Sequence, residues 1–341
     1  MKTSFTTLLG RACLIAGCAA AMPAFAADSN FYQGKTIEIV IASGPGGFDY
    51  IGRLVARHLG KHIPGNPNVV AQNMPGAGGL AAANYLYRKG RKDGTMLGQL
   101  PANIIVEDLL GSPGVSFKAA EFNMIGRVAS GINLTFVRAD DNKVKSISDA
   151  KNRETVLGTT APASLVQVFP NVMNNLAGTK FKFVSGYRDS ASTILAVERG
   201  EADGATIGIN SLYSLRPGWV KDGAVRFLVQ YTPTRSSQLP DVPAVTEFVS
   251  SSADREVLNV FLTAVTLGQH ITAPPGVPPE RIKILRDAFD AMLKDPALLA
   301  EVKASHTWFD PMSGAELQKL TRTDQFGPDV IARAKAIRAG K

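Results

Sequence analysis

Two glycine-rich turns, each placed where an apolar strand-like run gives way to a helix-periodic one, constrain this chain more than any other feature. They are Ser43-Gly44-Pro45-Gly46-Gly47-Phe48-Asp49 and Asn73-Met74-Pro75-Gly76-Ala77-Gly78-Gly79. The first follows Thr36 to Ile41 and leads into Tyr50 to Leu59; the second follows Asn68 to Gln72 and leads into Leu80 to Tyr87. Glycine adopts positive φ and leaves room for a ligand to reach main-chain N–H groups. The helix start beyond each turn adds unpaired N–H donors and the positive end of a dipole. Two such turns at neighbouring strand ends can close on the same small anion. A carboxylate is the expected ligand.

The N-terminal segment points to export. Lys2 and Arg11 precede an apolar run from Ala12 to Met22, followed by Pro23 and Ala24-Phe25-Ala26, the pattern of a signal peptide at residues 1–26 cleaved near Ala26. Ile15-Ala16-Gly17-Cys18 also fits a lipoprotein signal with acylation at Cys18, but Arg11 leaves a short apolar run before it, which favours plain cleavage and a periplasmic product. Both cysteines, Cys13 and Cys18, lie in this segment. After cleavage, disulfides, thiolate nucleophiles and cysteine-ligated metals drop out. No later run reaches the 18 or so apolar residues that a membrane span requires. Losing Lys2 and Arg11 lowers the formal net charge from +8 to +6, a mild excess without any dense basic stripe, so nucleic acid is not an expected partner.

Strand-like and helix-like runs alternate through most of the chain, the pattern of an α/β protein with mainly parallel sheets. Two long apolar runs, Met124 to Val137 and Leu258 to Gly268, are rich in β-branched residues and punctuated by Gly126, Gly131 and Gly268. They are expected as strands that cross between two lobes and serve as a hinge. The lobes would then be 27–132 together with 264–341, and an inserted lobe 133–263. Ser313 with Glu316 three residues later forms a capping box ahead of Gly314 to Lys319.

Few residues here suggest catalysis. Gly76-Ala77-Gly78-Gly79-Leu80-Ala81 matches a dinucleotide fingerprint, yet the next strand ends in Gln99-Leu100-Pro101 without the acidic residue that ribose hydroxyls need. No cofactor is expected. His58 and His62 stand four apart, but Leu59-Gly60-Lys61 lies between them, and they read as solvated helix-end residues rather than metal ligands. No metal site is expected. Asp49 can cap the following helix or face the ligand, and Phe48 can wall the cleft or fill the core. Farther on, Gly158-Thr159-Thr160-Ala161-Pro162-Ala163-Ser164 and Gly186-Tyr187-Arg188-Asp189-Ser190 each join a strand to a helix at the sheet edge where open α/β folds bind ligands.

With these motifs in order, the chain resembles the Bug family, the periplasmic receptors of tripartite tricarboxylate transporters. The resemblance rests on Tyr32-Gln33-Gly34-Lys35, Pro45-Gly46-Gly47-Phe48-Asp49, Gln72 to Gly79, Lys92-Asp93-Gly94-Thr95, Leu239-Pro240-Asp241-Val242-Pro243 and Ala273-Pro274-Pro275-Gly276-Val277-Pro278. It implies a two-lobed periplasmic-binding fold (type II-like), with the first two glycine-rich turns holding a ligand carboxylate. It also implies delivery of that ligand to an integral-membrane transporter. A ligand-sensing subunit of a signalling system, and an exported α/β enzyme using Asp49 as acid or base, are the alternatives. The chain departs from the family at Thr160-Ala161-Pro162-Ala163-Ser164, where many relatives carry Ser-Pro-Gly-x-Gly-Ser. Candidate ligand-binding residues are Ser43, Gly46, Gly47, Phe48, Asp49, Pro75, Gly76, Ala77, Gly78 and Gly79, with Thr159, Thr160, Ser164, Tyr187 and Asp203 in the inserted lobe. A monomer is expected.

Overall fold

The computed structural model describes residues 30–140, 143–162, 164–305, 307–321 and 326–340. The expected signal peptide, with Cys13 and Cys18, lies outside these residues, as does His306. In chain order the strands are β1 (Thr36–Ile41), β2 (Asn68–Asn73), β3 (Met96–Gln99), β4 (Asn123–Ala129), β5 (Asn133–Arg138), β6 (Thr155–Gly158), β7 (Phe181–Val184), β8 (Gly204–Gly208), β9 (Val225–Gln230), β10 (Gln269–Ala273) and β11 (Phe309–Ser313). They form two sheets, ordered β11-β4-β10-β3-β1-β2 and β7-β6-β8-β5-β9. In the first, β1 runs parallel to β2 and β3, while β10 lies antiparallel to β3 and β4. In the second, β6 runs parallel to β7 and β8, while β5 is antiparallel to β8 and β9.

Alternation along β1 shows how each sheet is covered on both faces. Ile37, Ile39 and Ile41 pack with Leu54 and Val55 of helix Gly47–Leu59 and with Phe289 of helix Pro279–Met292. Val40 faces the other way, into a core with Ala83 and Leu86 of helix Leu80–Lys89 and Ile105 of helix Asn103–Leu109. Such two-sided burial is characteristic of strands in a parallel sheet. The second sheet is covered likewise, by Phe169 and Val172 of helix Leu165–Ala177 on one side. On the other stand Ile194 of helix Ser190–Glu198 and Leu212 of helix Ile209–Leu215. The expected two-lobed α/β architecture is present.

The connections between the sheets differ from expectation. The first run breaks into β4 and β5, with the bend between Ala129 and Asn133. The second, expected as a crossing strand from Leu258 to Gly268, is instead the latter part of helix Ser252–Leu267, and strand β10 begins only at Gln269. Ser251 caps that helix, its hydroxyl accepting from Asp254 N–H at 3.3 Å. Val257, Leu258, Val260, Phe261, Leu262, Ala264 and Val265 are all buried. Burial on several sides outweighs the strand preference of its β-branched residues. The chain therefore passes between the sheets by one strand-to-strand bend and one helix-to-strand bend. The two touch, since a Cβ on Gly131 would lie 3.0 Å from Gly268 Cα. Helix Pro328–Arg338 packs on both helix Ser252–Leu267 and helix Leu165–Ala177. Among the described residues no helix is long and apolar enough to cross a membrane.

Candidate functional site

Loops leaving the C-terminal ends of β1, β2 and β3 meet those leaving β6, β7 and β8 around a cleft of about 640 Å³. This is the edge where parallel sheets present backbone donors and helix starts to a ligand. The second glycine-rich turn shapes one wall through consecutive positive φ angles: Gly76 145°, Ala77 48°, Gly78 65° and Gly79 97°. Left-handed backbone is uncommon for alanine and is held only where surrounding structure enforces it. Here Asn103 Nδ2 donates to Gly78 O at 3.1 Å, and Gly79 N–H donates to Gly76 O at 2.9 Å. Main-chain N–H groups in such a run, ahead of helix Leu80–Lys89, can cradle an anion.

The first turn is fastened to the second by side chains. Asn73 Nδ2 donates to Ser43 O at 2.8 Å and to Asp49 Oδ1 at 2.6 Å. Arg53 Nε donates to both Asp49 oxygens at 3.0 Å, and its Nη2 donates to Asn73 Oδ1 at 2.6 Å. Gly46, not Asp49, occupies the N-cap position. Asp49 therefore neither caps the helix nor lines the cleft; its carboxylate couples the two turns.

Of the sequence-predicted residues, Ser43, Gly46, Phe48, Pro75, Gly76, Ala77, Gly78, Gly79, Thr160, Ser164 and Tyr187 line the cleft. Phe48 both walls the cleft and packs against the core behind it. Gly47, Asp49, Thr159 and Asp203 are not on the cleft wall. Gly47 abuts the inserted lobe, where a Cβ would lie 2.5 Å from Ser211 N. Thr159 is buried beneath the wall, its hydroxyl 2.8 Å from Gln167 Oε1 and 3.0 Å from Ser185 Oγ. Asp203 precedes β8 and its carboxylate accepts from Val156 N–H at 2.7 Å, at the N-terminal edge of the strand rather than the cleft edge.

Several wall residues were missed. Asn133 and Gln269 arrive through the two crossings, which only the tertiary arrangement brings to the cleft. Arg188, Asp189 and Ser190 follow Tyr187 in a junction the sequence points to, without being individual candidates there, and Asp189 with Ser192 carries the N-cap spacing that singles out the acid. Burial raises the Asp189 carboxyl, but hydrogen bonds from Ser192 and the Arg188 guanidinium outweigh it, holding the group below the usual carboxylate range and ionised. The lobes touch around the cleft: a Cβ on Gly44 would sit 3.6 Å from Asp189 Oδ2, and Trp308 N–H donates to Asn210 Oδ1 at 2.8 Å.

The histidines expected as solvated are paired instead. His58 Nε2 lies 2.8 Å from Glu301 Oε2 and His62 Nε2 lies 2.9 Å from Asp295 Oδ2, with Arg57 and Lys61 on the same two carboxylates. They fasten the end of helix Gly47–Leu59 to helix Pro296–Ala304 and its cap. Among the described residues no cluster of three or more His, Cys, Asp or Glu side chains is placed to hold a metal.

The fold is shared with known proteins. A solute-binding protein from Polaromonas shares 19% identity at a TM-score of 0.62, covering 90% of this chain and 98% of its own. The periplasmic binding protein BugD matches at 18% identity and a TM-score of 0.69, over 90% and 98% of the two chains. Rpa4515 of R. palustris, solved with adipate, matches at 20% identity and 0.67, over 91% and 98%. No curated protein sequence matches closely enough to count as a relative. The family model described as the tripartite tricarboxylate transporter family receptor matches residues 51–339. The chain belongs to that receptor family.

Proposed function

We propose that this receptor captures a small-molecule carboxylate in the periplasm and presents it to the membrane subunits of a tripartite transporter. The carrying observation is the positive-φ run from Gly76 to Gly79, whose backbone opens onto the cleft at a helix start. Structural neighbours of the same fold include Rpa4515 with adipate and MatC from Rhodopseudomonas palustris with bound malate. In this reading 27–132 with 264–341 form one body, 133–263 the other, and the ligand stabilises their closed arrangement.

A thermal-shift screen of the mature chain, stripped of retained ligand by unfolding and refolding, tests the proposal against mono-, di-, tri- and aromatic carboxylates. A ligand that binds only the folded form at one hundred times its Kd adds about 2.7 kcal/mol. A shift confined to one carboxylate class is the expected result. A folded, stripped sample that no carboxylate stabilises refutes the proposal.

A further inference from the structure

Beside the two crossings the cleft wall carries uncharged amide side chains whose oxygens the protein does not itself satisfy. Asn133, at the start of β5, is buried, and its Nδ2 donates to Gly131 O at 3.0 Å. That bond fixes the orientation of the amide, so Oδ1 is the end left over, and among the described residues no group donates to it. It stands near Gly208 and the first turn of helix Ile209–Leu215: a Cβ on Gly208 would lie 3.9 Å from Asn133 Oδ1 and 4.0 Å from Ser211 Oγ. Asn133, Gly208 and Ser211 all line the cleft. From the other crossing comes Gln269, also on the wall, whose Oε1 is buried with no hydrogen-bond partner among the described residues. An amide oxygen accepts and cannot donate, so such a pair of groups calls for a donor from outside the protein. The charged side chains on the wall, Arg188 and Asp189, are paired with each other at 3.2 Å.

We infer, on the carboxylate reading above, that the ligand is a hydroxy acid, with its carboxylate at the Gly76–Gly79 turn and a hydroxyl that donates to Asn133 Oδ1. Asn133 is then a specificity residue, and Gln269 offers a second acceptor from the opposite crossing. Ser211 Oγ, which can donate as well as accept, completes the partners of the ligand oxygen. The bare glycine at position 208 leaves room between Asn133 and Ser211. An ammonium group suits the same wall less well, because its one carboxylate already holds Arg188 and nothing else there offsets the loss of water around a cation. A ligand without the hydroxyl leaves the amide oxygens enclosed and unpaired, which is how a site built to hydrogen-bond a hydroxyl rejects the analogue that lacks it.

Calorimetry on the refolded, ligand-free mature chain with matched pairs, malate against succinate, 3-hydroxybutyrate against butyrate and 4-hydroxybenzoate against benzoate, tests this. In at least one pair the hydroxy member is expected to bind about tenfold or more tightly than its partner. Asn133→Ala should bring that ratio down toward one. Gln269→Met, which removes an unpaired buried oxygen with little change of shape, should keep or raise the melting temperature of the ligand-free chain and also lower the ratio, so it serves where Asn133→Ala fails to fold. Binding without preference for the hydroxy member in any pair, or a ratio that a folded variant leaves unchanged, overturns the inference and leaves the carboxylate reading standing. Silence from every compound overturns the carboxylate reading itself, and this inference with it.

Discussion

Asp49 illustrates how a residue inside a glycine-rich turn can brace a cleft without lining it. Its carboxylate, 9% exposed as a residue, holds Arg53 and Asn73, and Asn73 in turn holds Ser43 O. Arg53 is substantially exposed and re-solvates when its partner is lost, so Asp49→Ala should cost only about 1 kcal/mol of stability. Its effect on ligand affinity should be larger, because the two turns lose their common anchor. Urea unfolding and calorimetry read the two quantities separately, and unchanged affinity would remove the clamp from the binding mechanism. His270 carries a different kind of consequence. It is fully buried below the crossing, its Nδ1 3.2 Å from Gly268 O, and burial pushes its pKa from 6.5 down to about 4. A base that is harder to protonate when folded lets acid favour the unfolded chain. The stability tied to its neutral form is complete above about pH 6.5, falls as the pH drops, and levels off below about pH 4. The loss should approach about 3 kcal/mol. Unfolding free energies of the parent and of His270→Gln across that window check it: the variant's profile should be flatter, and parallel profiles would clear His270.

Helix Gly47–Leu59 joins both lobes at its first residue. Gly47 does not have a left-handed φ, so alanine there suits the backbone and improves helix propensity by up to about 1 kcal/mol. A Cβ would nonetheless meet Ser211 N at 2.5 Å and Asn210 C at 2.6 Å, both backbone atoms of the opposite lobe. The steric term acts between lobes and the propensity term within one. Gly47→Ala should therefore keep or raise the melting temperature of the ligand-free chain while weakening ligand binding by about tenfold or more. Small-angle scattering with ligand should show a wider envelope than the parent, and parent-like affinity with a parent-like envelope would refute the clash. Helix Ser252–Leu267 makes the complementary point about elements. Its β-branched run reads as strand in isolation, yet Ser251 caps it and packing buries it against helices Asn103–Leu109, Leu165–Ala177 and Pro328–Arg338.

At the scale of the whole molecule, the two sheets are joined by short bends and share a continuous core. Val40 and Leu86 belong to the same cluster as Leu157, Phe169 and Tyr231 from the second sheet, with Leu258 and Phe261 between. On the proposed receptor reading, binding energy has to exceed the cost of shifting bodies that remain in contact through a buried helix. The two crossings touch where side chains are absent, at the point where Gly131 and Gly268 meet. The cleft lies beside that point, with Gly131, Asn133, Gly268 and Gln269 on its wall.

Much of this protein was legible in its residues. Local chemistry determined the strand at Thr155–Gly158, the Ser313–Glu316 capping box and the places where strands turn into helices at glycine-rich loops. Each of these depends on neighbours a few positions away: alternation, capping distance, or the absence of a Cβ. The family likeness was legible for the same reason, because its motifs are turns. What the tertiary structure alone decided depends on partners distant in sequence. Helix Ser252–Leu267 exists because both lobes bury it, and Asp49 turns away from the cleft because Asn73, from the next strand, offers it a donor. Asp203 faces the far edge because strand direction puts it there, and Asp189 reaches the cleft because the lobes meet at Gly44. Pattern in a sequence specifies what a segment can be, while burial and long-range pairing select which of its side chains meet the ligand.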